Sequence, residues 1–266
     1  AFVAVPTPSA TTTTTSPPAA AFPDADLTYP DGAIVSFGAS DYVLAGGRAF
    51  AVGTSLALVQ KVDHAKVRVA PAGSSAPTAA TVRPGTLVST RAVDGNPTIY
   101  VAGTDGQLHG FSTSGQFSRD GYDAALVVTV PSLGGASVGP SVGQEGAAVT
   151  ALATRADGAI VDSGGTFYVF AGGRAFGVST PAALAALRRA DRATPLSGAV
   201  GGAETKAAVA SGAVLSAPGK VYVSYQGDLY LFKSEAQLAV DGYGGTAAVA
   251  VPGTGGLSVF TVYSGA

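Results

Sequence analysis

Few residues in this 266-residue chain are equipped for chemistry. It has no Cys, Met or Trp and only two His. Thiolate metal sites, disulfides, cysteine nucleophiles and haem ligation by Met or Cys are therefore excluded. His64 and His109 sit in different parts of the sequence without a partner motif, and no H-E-x-x-H, G-x-S-x-G or Walker pattern occurs. Many of the acidic residues stand in Asp-Gly pairs (Asp31, Asp94, Asp105, Asp120, Asp157, Asp241), where turn formation accounts for them. A glycoside hydrolase would need two carboxylates facing each other across a cleft. Asp157 and Asp162 could be offered, but the counterpart of Asp162 in the matching repeat is Ser36. Asp24 and Asp26 do not complete a calcium loop. Neither a cofactor nor a metal is implied.

Two arginines stand out. Arg48 and Arg174 occupy identical AGGRAF stretches in a chain where only 12% of residues are charged, about half the usual share of roughly 25%. With Tyr42 and Tyr168 beside them, they could bind an anion, a carboxylate or a sugar acid. The alternative is a hairpin arginine stacked on Tyr42 or Tyr168, or bridging to an Asp-Gly turn. A net charge of −2 leaves no basic excess for nucleic acid. No apolar run reaches the roughly 18 to 20 residues of a transmembrane helix.

These residues are embedded in repeats. Asp31–Val52 (DGAIVSFGASDYVLAGGRAFAV) and Asp157–Val178 (DGAIVDSGGTFYVFAGGRAFGV) agree at 15 of 22 positions without a gap. Two weaker copies begin near Pro84 and Ser211, and these share a longer tail, QFSRDGYDAALVVTVP against QLAVDGYGGTAAVAVP. The order is A-B-A-B. Each unit has a Gly and a short β-branched run, an aromatic strand led by Tyr42, Tyr100, Tyr168 or Tyr222, and a Gly-containing hairpin. A third strand follows, ending near Phe50, Phe111, Phe176 or Phe232. Strand alternation predicts that Tyr and Phe share one core face. A helical piece comes next: 55–64 in the first unit, and a stretch opened by Thr180 and Pro181 in the third. A final strand is predicted in three units, at 66–69, 126–130 and 247–251. Gly-rich stretches at 134–146 and 198–202 read as linkers.

The expected fold is mainly β with short helices. It has four βββαβ-type repeats, near 31–73, 84–133, 157–198 and 211–253, in a propeller-like closed array. Two similar lobes of two repeats each are the alternative. Residues 31–266 would form this domain, and residues 1–30 an extended Thr/Ser/Pro-rich arm.

The pattern carried by Gly32, Tyr42, Gly46-Gly47, Phe50 and their equivalents resembles a tandem repeat of secreted and wall-associated proteins of high-GC bacteria. The unit length and the Tyr/Phe rhythm also resemble hemopexin-like four-bladed propellers, although a ring-closing disulfide is impossible without Cys. The resemblance implies a binding or structural module.

The chain opens with Ala rather than Met, which reads as a mature secreted protein. Thr7, Thr11, Thr12, Thr13, Thr14, Thr15 and Ser16 resemble an O-glycosylated stalk. Ahead of them Phe2, Val3 and Val5 form a strand-like segment. About 14 extended residues reach some 40 Å, enough to add a strand to a neighbouring copy. The leading expectation is a secreted, non-enzymatic, self-assembling subunit of a surface layer, sheath or filament, whose main partner is itself. A module for wall polysaccharide or another glycan is the alternative, and a glycoside hydrolase a third.

Overall fold

The computed structural model describes residues 29, 31–53, 67–70, 72–90, 98–119, 122, 124–142, 155–187, 195–232 and 248–261. They form four open sheets of one topology. Unit 1 holds β1 (Ile34–Phe37), β2 (Ser40–Ala45), β3 (Arg48–Ala51) and β4 (Val67–Val69). Unit 2 holds β5 (Leu87–Ser89), β6 (Ile99–Ala102), β7 (Leu108–Gly110), helix α1 (Ser114–Arg119) and β8 (Val128–Thr129). Unit 3 holds β9 (Ile160–Ser163), β10 (Thr166–Ala171), β11 (Arg174–Val178), helix α2 (Pro181–Leu187) and β12 (Leu196–Ser197). Helix α3 (Gly202–Lys206) leads to unit 4, with β13 (Val214–Ala217), β14 (Lys220–Tyr225), β15 (Asp228–Leu231), β16 (Val249–Ala250) and β17 (Val259–Thr261).

In every sheet the first three strands form an antiparallel meander. The fourth returns beside the first and parallel to it, giving the order β3-β2-β1-β4 in unit 1 and its equivalents elsewhere. A parallel return needs a crossover, and the helix supplies it in units 2 and 3. Thr180 Oγ1 accepts from the Ala183 amide at 3.1 Å and Thr113 Oγ1 from the Gln116 amide at 2.9 Å, so each crossover helix has a side-chain cap. The helix expected at 55–64 lies outside the described residues. No sheet closes on itself.

Three expectations need correction. Unit 3 does have a fourth strand, β12, whose two residues are too few to show an alternating pattern. The Gly-rich stretches are structured in part: α3 begins at Gly202, and Val138 and Val142 bridge in parallel to Leu108 and Phe111. Tyr and Phe do not share a face. Val43 pairs with Phe50 and Tyr42 with Ala51, and unit 3 repeats this with Val169 opposite Phe176 and Tyr168 opposite Gly177. The hairpin register places them on opposite sides, because facing residues share a face and successive ones alternate.

That separation builds the cores. Ile34, Val43 and Phe50 of unit 1 pack with Val88, Ala102 and Leu108 of unit 2. Ile160, Val169 and Phe176 of unit 3 pack with Leu215, Tyr222 and Leu229 of unit 4. On its other face unit 2 sets Leu87, Val101, Phe111, Phe117 and Tyr122 against Ala156 and Ala159 at the start of unit 3. Consecutive units are thus joined face to face.

The hairpin turns fit against the next unit only as glycine. Gly46 and Gly172 have φ of +54° and +55°, and their neighbours Gly47 and Gly173 +76° and +79°. A Cβ on Gly46 would lie 2.5 Å from Val82 Cγ1 and 2.7 Å from the Arg83 amide nitrogen, whereas one on Gly47 meets nothing within 4 Å. Gly47→Ala should therefore cost about 1–2 kcal/mol, from left-handed backbone strain alone. Gly46→Ala should cost more, because the start of unit 2 must move as well. Denaturant unfolding of the two variants checks this; equal losses would contradict the contact.

Candidate functional site

Three charged side chains gather where units 1, 2 and 3 begin. Asp31 and Asp157 hold the same place ahead of the first strands of units 1 and 3. Asp31 Oδ1 accepts from the Gly46 amide at 2.7 Å, and Asp157 Oδ1 from the Gly172 amide at 2.8 Å. In unit 4 Ser211 takes this place, and its Oγ accepts from the Gln226 amide at 2.9 Å. Unit 2 has Pro84 there, preceded by Arg83. Arg83 Nη2 donates to Asp31 Oδ2 at 2.7 Å and Nη1 to Asp157 Oδ2 at 3.1 Å.

One guanidinium thus joins units 1, 2 and 3. Sheets stacked flat would hold units 1 and 3 about two sheet spacings apart, roughly 20 Å. A single side chain reaches both instead, so the sheets converge at this end. The three side chains are only 12–18% exposed. Burial works against the Arg83 charge, but Asp157 and Asp31 outweigh it and hold the guanidinium protonated more firmly than a free one. For Asp157, burial pushes the carboxyl up and Asp31 adds to the rise, against the pull of Arg83. Burial is the larger cause, and the second carboxylate beside the same guanidinium adds to it.

Arg48 and Arg174 also join units. Arg48 donates to the Ala80 carbonyl at 2.6 Å and the Gly134 carbonyl at 2.5 Å, and its guanidinium lies 5.5 Å from the Phe50 ring centroid. Arg174 donates to the Ala207 and Gly255 carbonyls, both at 2.7 Å, and lies 5.6 Å from the Phe176 centroid. Each clasps the hairpin of an A unit to the loop before, and the Gly-Gly turn after, the following B unit. The aromatic partner is the Phe two residues on, not Tyr42 or Tyr168, because the register puts those tyrosines on the other face. Tyr42 is half-buried, with its ring edge-on to Phe37 at 5.9 Å. Tyr168 is half-buried in a separate small cluster with Val161, Phe170 and Ala175. The structure does not bring the four candidate ligand-binding residues together into one surface.

Several other polar groups are tied down too. Asp162 Oδ1 accepts from the Gly165 amide at 2.7 Å, within its own turn, while Asp157 belongs to the Arg83 cluster. Ser36 bonds Asp41, and Arg155 bonds Glu204 of α3. His109 is buried between Pro140 and Asp105. Among the described residues no group of three or more His, Asp or Glu is placed to hold a metal, and no helix is long and apolar enough to cross a membrane. His64, the assembly candidates Phe2, Val3 and Val5, and the glycosylation candidates Thr7, Thr11–Thr15 and Ser16 lie outside the described residues.

Sequence reasoning missed Arg83. Its repeat counterpart is Ala210, so the alignment that revealed Arg48 and Arg174 conceals it. The available signal was an arginine beside the Pro-Gly opening of a unit, in a chain short of charge. Asp31 and Asp157 read as turn formers; they do cap the hairpin turns, and they anchor Arg83 as well. Comparison with known proteins finds no matching family model, no matching curated protein and no matching solved structure.

Removing Arg83 leaves two buried carboxylates facing each other. Arg83→Met should destabilise the fold by about 3–5 kcal/mol near neutral pH. Asp157, already held above its unfolded value by burial, would then lose the pull of Arg83 and rise further. Such a group favours the fold below the unfolded value and loses that contribution as pH rises through the folded one. The deficit should therefore shrink toward about pH 4. Adding Asp157→Asn to the variant should recover part of the loss at neutral pH. Denaturant titrations at two pH values test both statements, and a deficit independent of pH would contradict them.

Proposed function

We propose that this chain is a secreted, non-enzymatic structural protein whose copies assemble into a surface layer, sheath or filament. The observation that carries the reading is the use of its scarce charge. Arg48, Arg174 and Arg83 bind groups of their own chain that clasp one repeat to another, and Arg155 ties the start of unit 3 to α3. A chain with 12% charged residues has little like-charge repulsion to keep copies apart. The extracellular placement rests on the resemblance of the repeat pattern at Gly32, Tyr42, Gly46-Gly47 and Phe50 alone.

In this reading the four sheets form a propeller-like array, with unit 4 closing against unit 1. The convergence of units 1 to 3 on Arg83 supports that geometry. The residues that join copies are Phe2, Val3 and Val5, which add a strand to a neighbour's sheet edge. The edge strand β4 carries Val69, which is 81% exposed. Thr7, Thr11–Thr15 and Ser16 carry O-linked sugar on the connecting arm.

Electron microscopy of the native protein, with an intact mass on the same sample, tests the reading. Filaments or sheets, with hexose-sized additions to the 25.9 kDa sequence mass, are expected. A double substitution, Val3→Asp with Val5→Asp, should abolish the polymer and leave the thermal unfolding of the monomer unchanged. Discrete monomers at high concentration would overturn assembly and leave a glycan-binding module as the better account.

A further inference from the structure

The two B units cover the outer edge of their third strand with the segment that follows them. In unit 4 this is β17, parallel to β15, with the Leu229 amide donating to the Ser258 carbonyl at 2.9 Å. In unit 2 it is residues 137–142 along β7. There the Leu108 amide donates to the Ser137 carbonyl at 2.8 Å, the Gly139 amide to Leu108 at 3.0 Å and the Val142 amide to Gly110 at 2.8 Å. The backbone device is the same, but the side chains that hold it differ. Unit 4 uses aromatic contacts: Tyr230 stacks on Phe260 at 5.5 Å and meets Tyr225 edge-on at 6.3 Å. At the equivalent places unit 2 has His109, Gly139 and Gly103.

His109 fills the space those glycines leave. It is 1% exposed, and a Cβ on Gly103 or Gly139 would come within 2.8 Å of its ring. Its Nδ1 lies 2.9 Å from the Pro140 carbonyl oxygen, and its Nε2 lies 3.1 Å from Asp105 Oδ1. A carbonyl and a carboxylate only accept, and a neutral imidazole has one N–H. Only the doubly protonated ring donates to both. With one proton gone, a ring lone pair faces a buried acceptor, and the contact with Pro140 or Asp105 is lost. Residues 137–142 carry no group that ionises in the ordinary range, and Asp105, on the β6–β7 turn with Gln107, is the one titratable partner recorded for the ring among the described residues.

We propose that His109 and Asp105 form a pH-sensitive latch that holds residues 137–142 on the edge of β7 and releases them as pH rises. The doubly protonated ring belongs to the closed state, so loss of either ring proton breaks one of its two contacts. For Asp105, burial opposes ionisation, but the bonds from His109 and the Gln107 amide outweigh it and hold the carboxyl below its usual range. Its contribution is therefore present above the unfolded value and lost as pH falls through the folded one. The latch is closed between these limits, while the clamp of unit 4 is held by aromatic stacking, and burial, with Asp228 adding to it, holds the Tyr230 phenol protonated above its usual range. Release bares the main chain of β7 as a place for a strand from another copy. That consequence rests on the assembly reading; the latch does not.

The test is amide exchange of the full chain, kept dilute and monomeric, between about pH 5 and pH 9, corrected for intrinsic exchange. The unit 4 segment is an internal control. Protection of the Gly139 and Val142 amides should fall about tenfold relative to the Leu229 amide, the scale of one lost hydrogen bond. Nitrogen NMR of the ring should show one ring proton lost over the same pH interval. His109→Gln should make the ratio independent of pH. Parallel loss of protection in both segments, or a singly protonated ring while residues 137–142 remain protected, would overturn the latch. The ring measurement needs no variant, so it decides the matter even if His109→Gln fails to fold. Failure of the assembly reading would appear in microscopy and would leave this result untouched.

Discussion

One guanidinium shared by two carboxylates sets the geometry of this molecule. Face-to-face packing of apolar sheets is non-directional: Phe50 or Phe176 would be buried as well in a flat stack as in a fan. The bonds from Arg83 to Asp31 and Asp157 are directional and short-ranged. They draw together the starts of two units that are not neighbours in sequence. Such a cluster is weak evidence for net stability, because burying three charged groups costs nearly what their attraction returns. Its value is specificity: a stack with wrong spacing leaves an unpaired buried charge.

The A-type arginines work by a different principle. Arg48 and Arg174 bind main-chain carbonyls rather than carboxylates, and each guanidinium lies over a phenylalanine that already belongs to an inter-unit core. Carbonyl partners survive change in side-chain sequence, which suits a clasp repeated through duplication. The Arg83 cluster cannot be repeated this way. Its cation occurs once, at a position where the matching unit has alanine. The two halves of the molecule are therefore alike in sheets and clasps and unlike at the junction between them. The outer edges of units 2 and 4 show the same divergence. One covering segment is held by a histidine between two glycines, the other by three aromatic rings.

Much of the architecture was legible without coordinates. The 15 of 22 identities between Asp31–Val52 and Asp157–Val178 reveal the repeat. The Gly-Gly hairpins mark where strands turn, and Thr180-Pro181 marks a helix start that proves to be capped. The faces were not legible. Tyr42 and Phe50 look like partners on one side of a strand, yet the turn between β2 and β3 sets a register that puts them on opposite sides. A two-residue strand such as β12 exists only because β9 offers it an edge. Asp31 and Asp157 read as turn residues because their local bonds suffice to explain them, and their second oxygens find Arg83 only in three dimensions.

By itself, then, the sequence determined the number of units, their A-B-A-B order, the hairpins within them and the exclusion of thiol chemistry. Those properties follow from local rules: which residues tolerate positive φ, which alternate, and which types are absent. Tertiary structure alone decided which sheet faces meet, which carboxylates share Arg83, and what surrounds His109. Each of these depends on contacts between residues tens of positions apart, whose identities carry no mark of their partners until the sheets have packed.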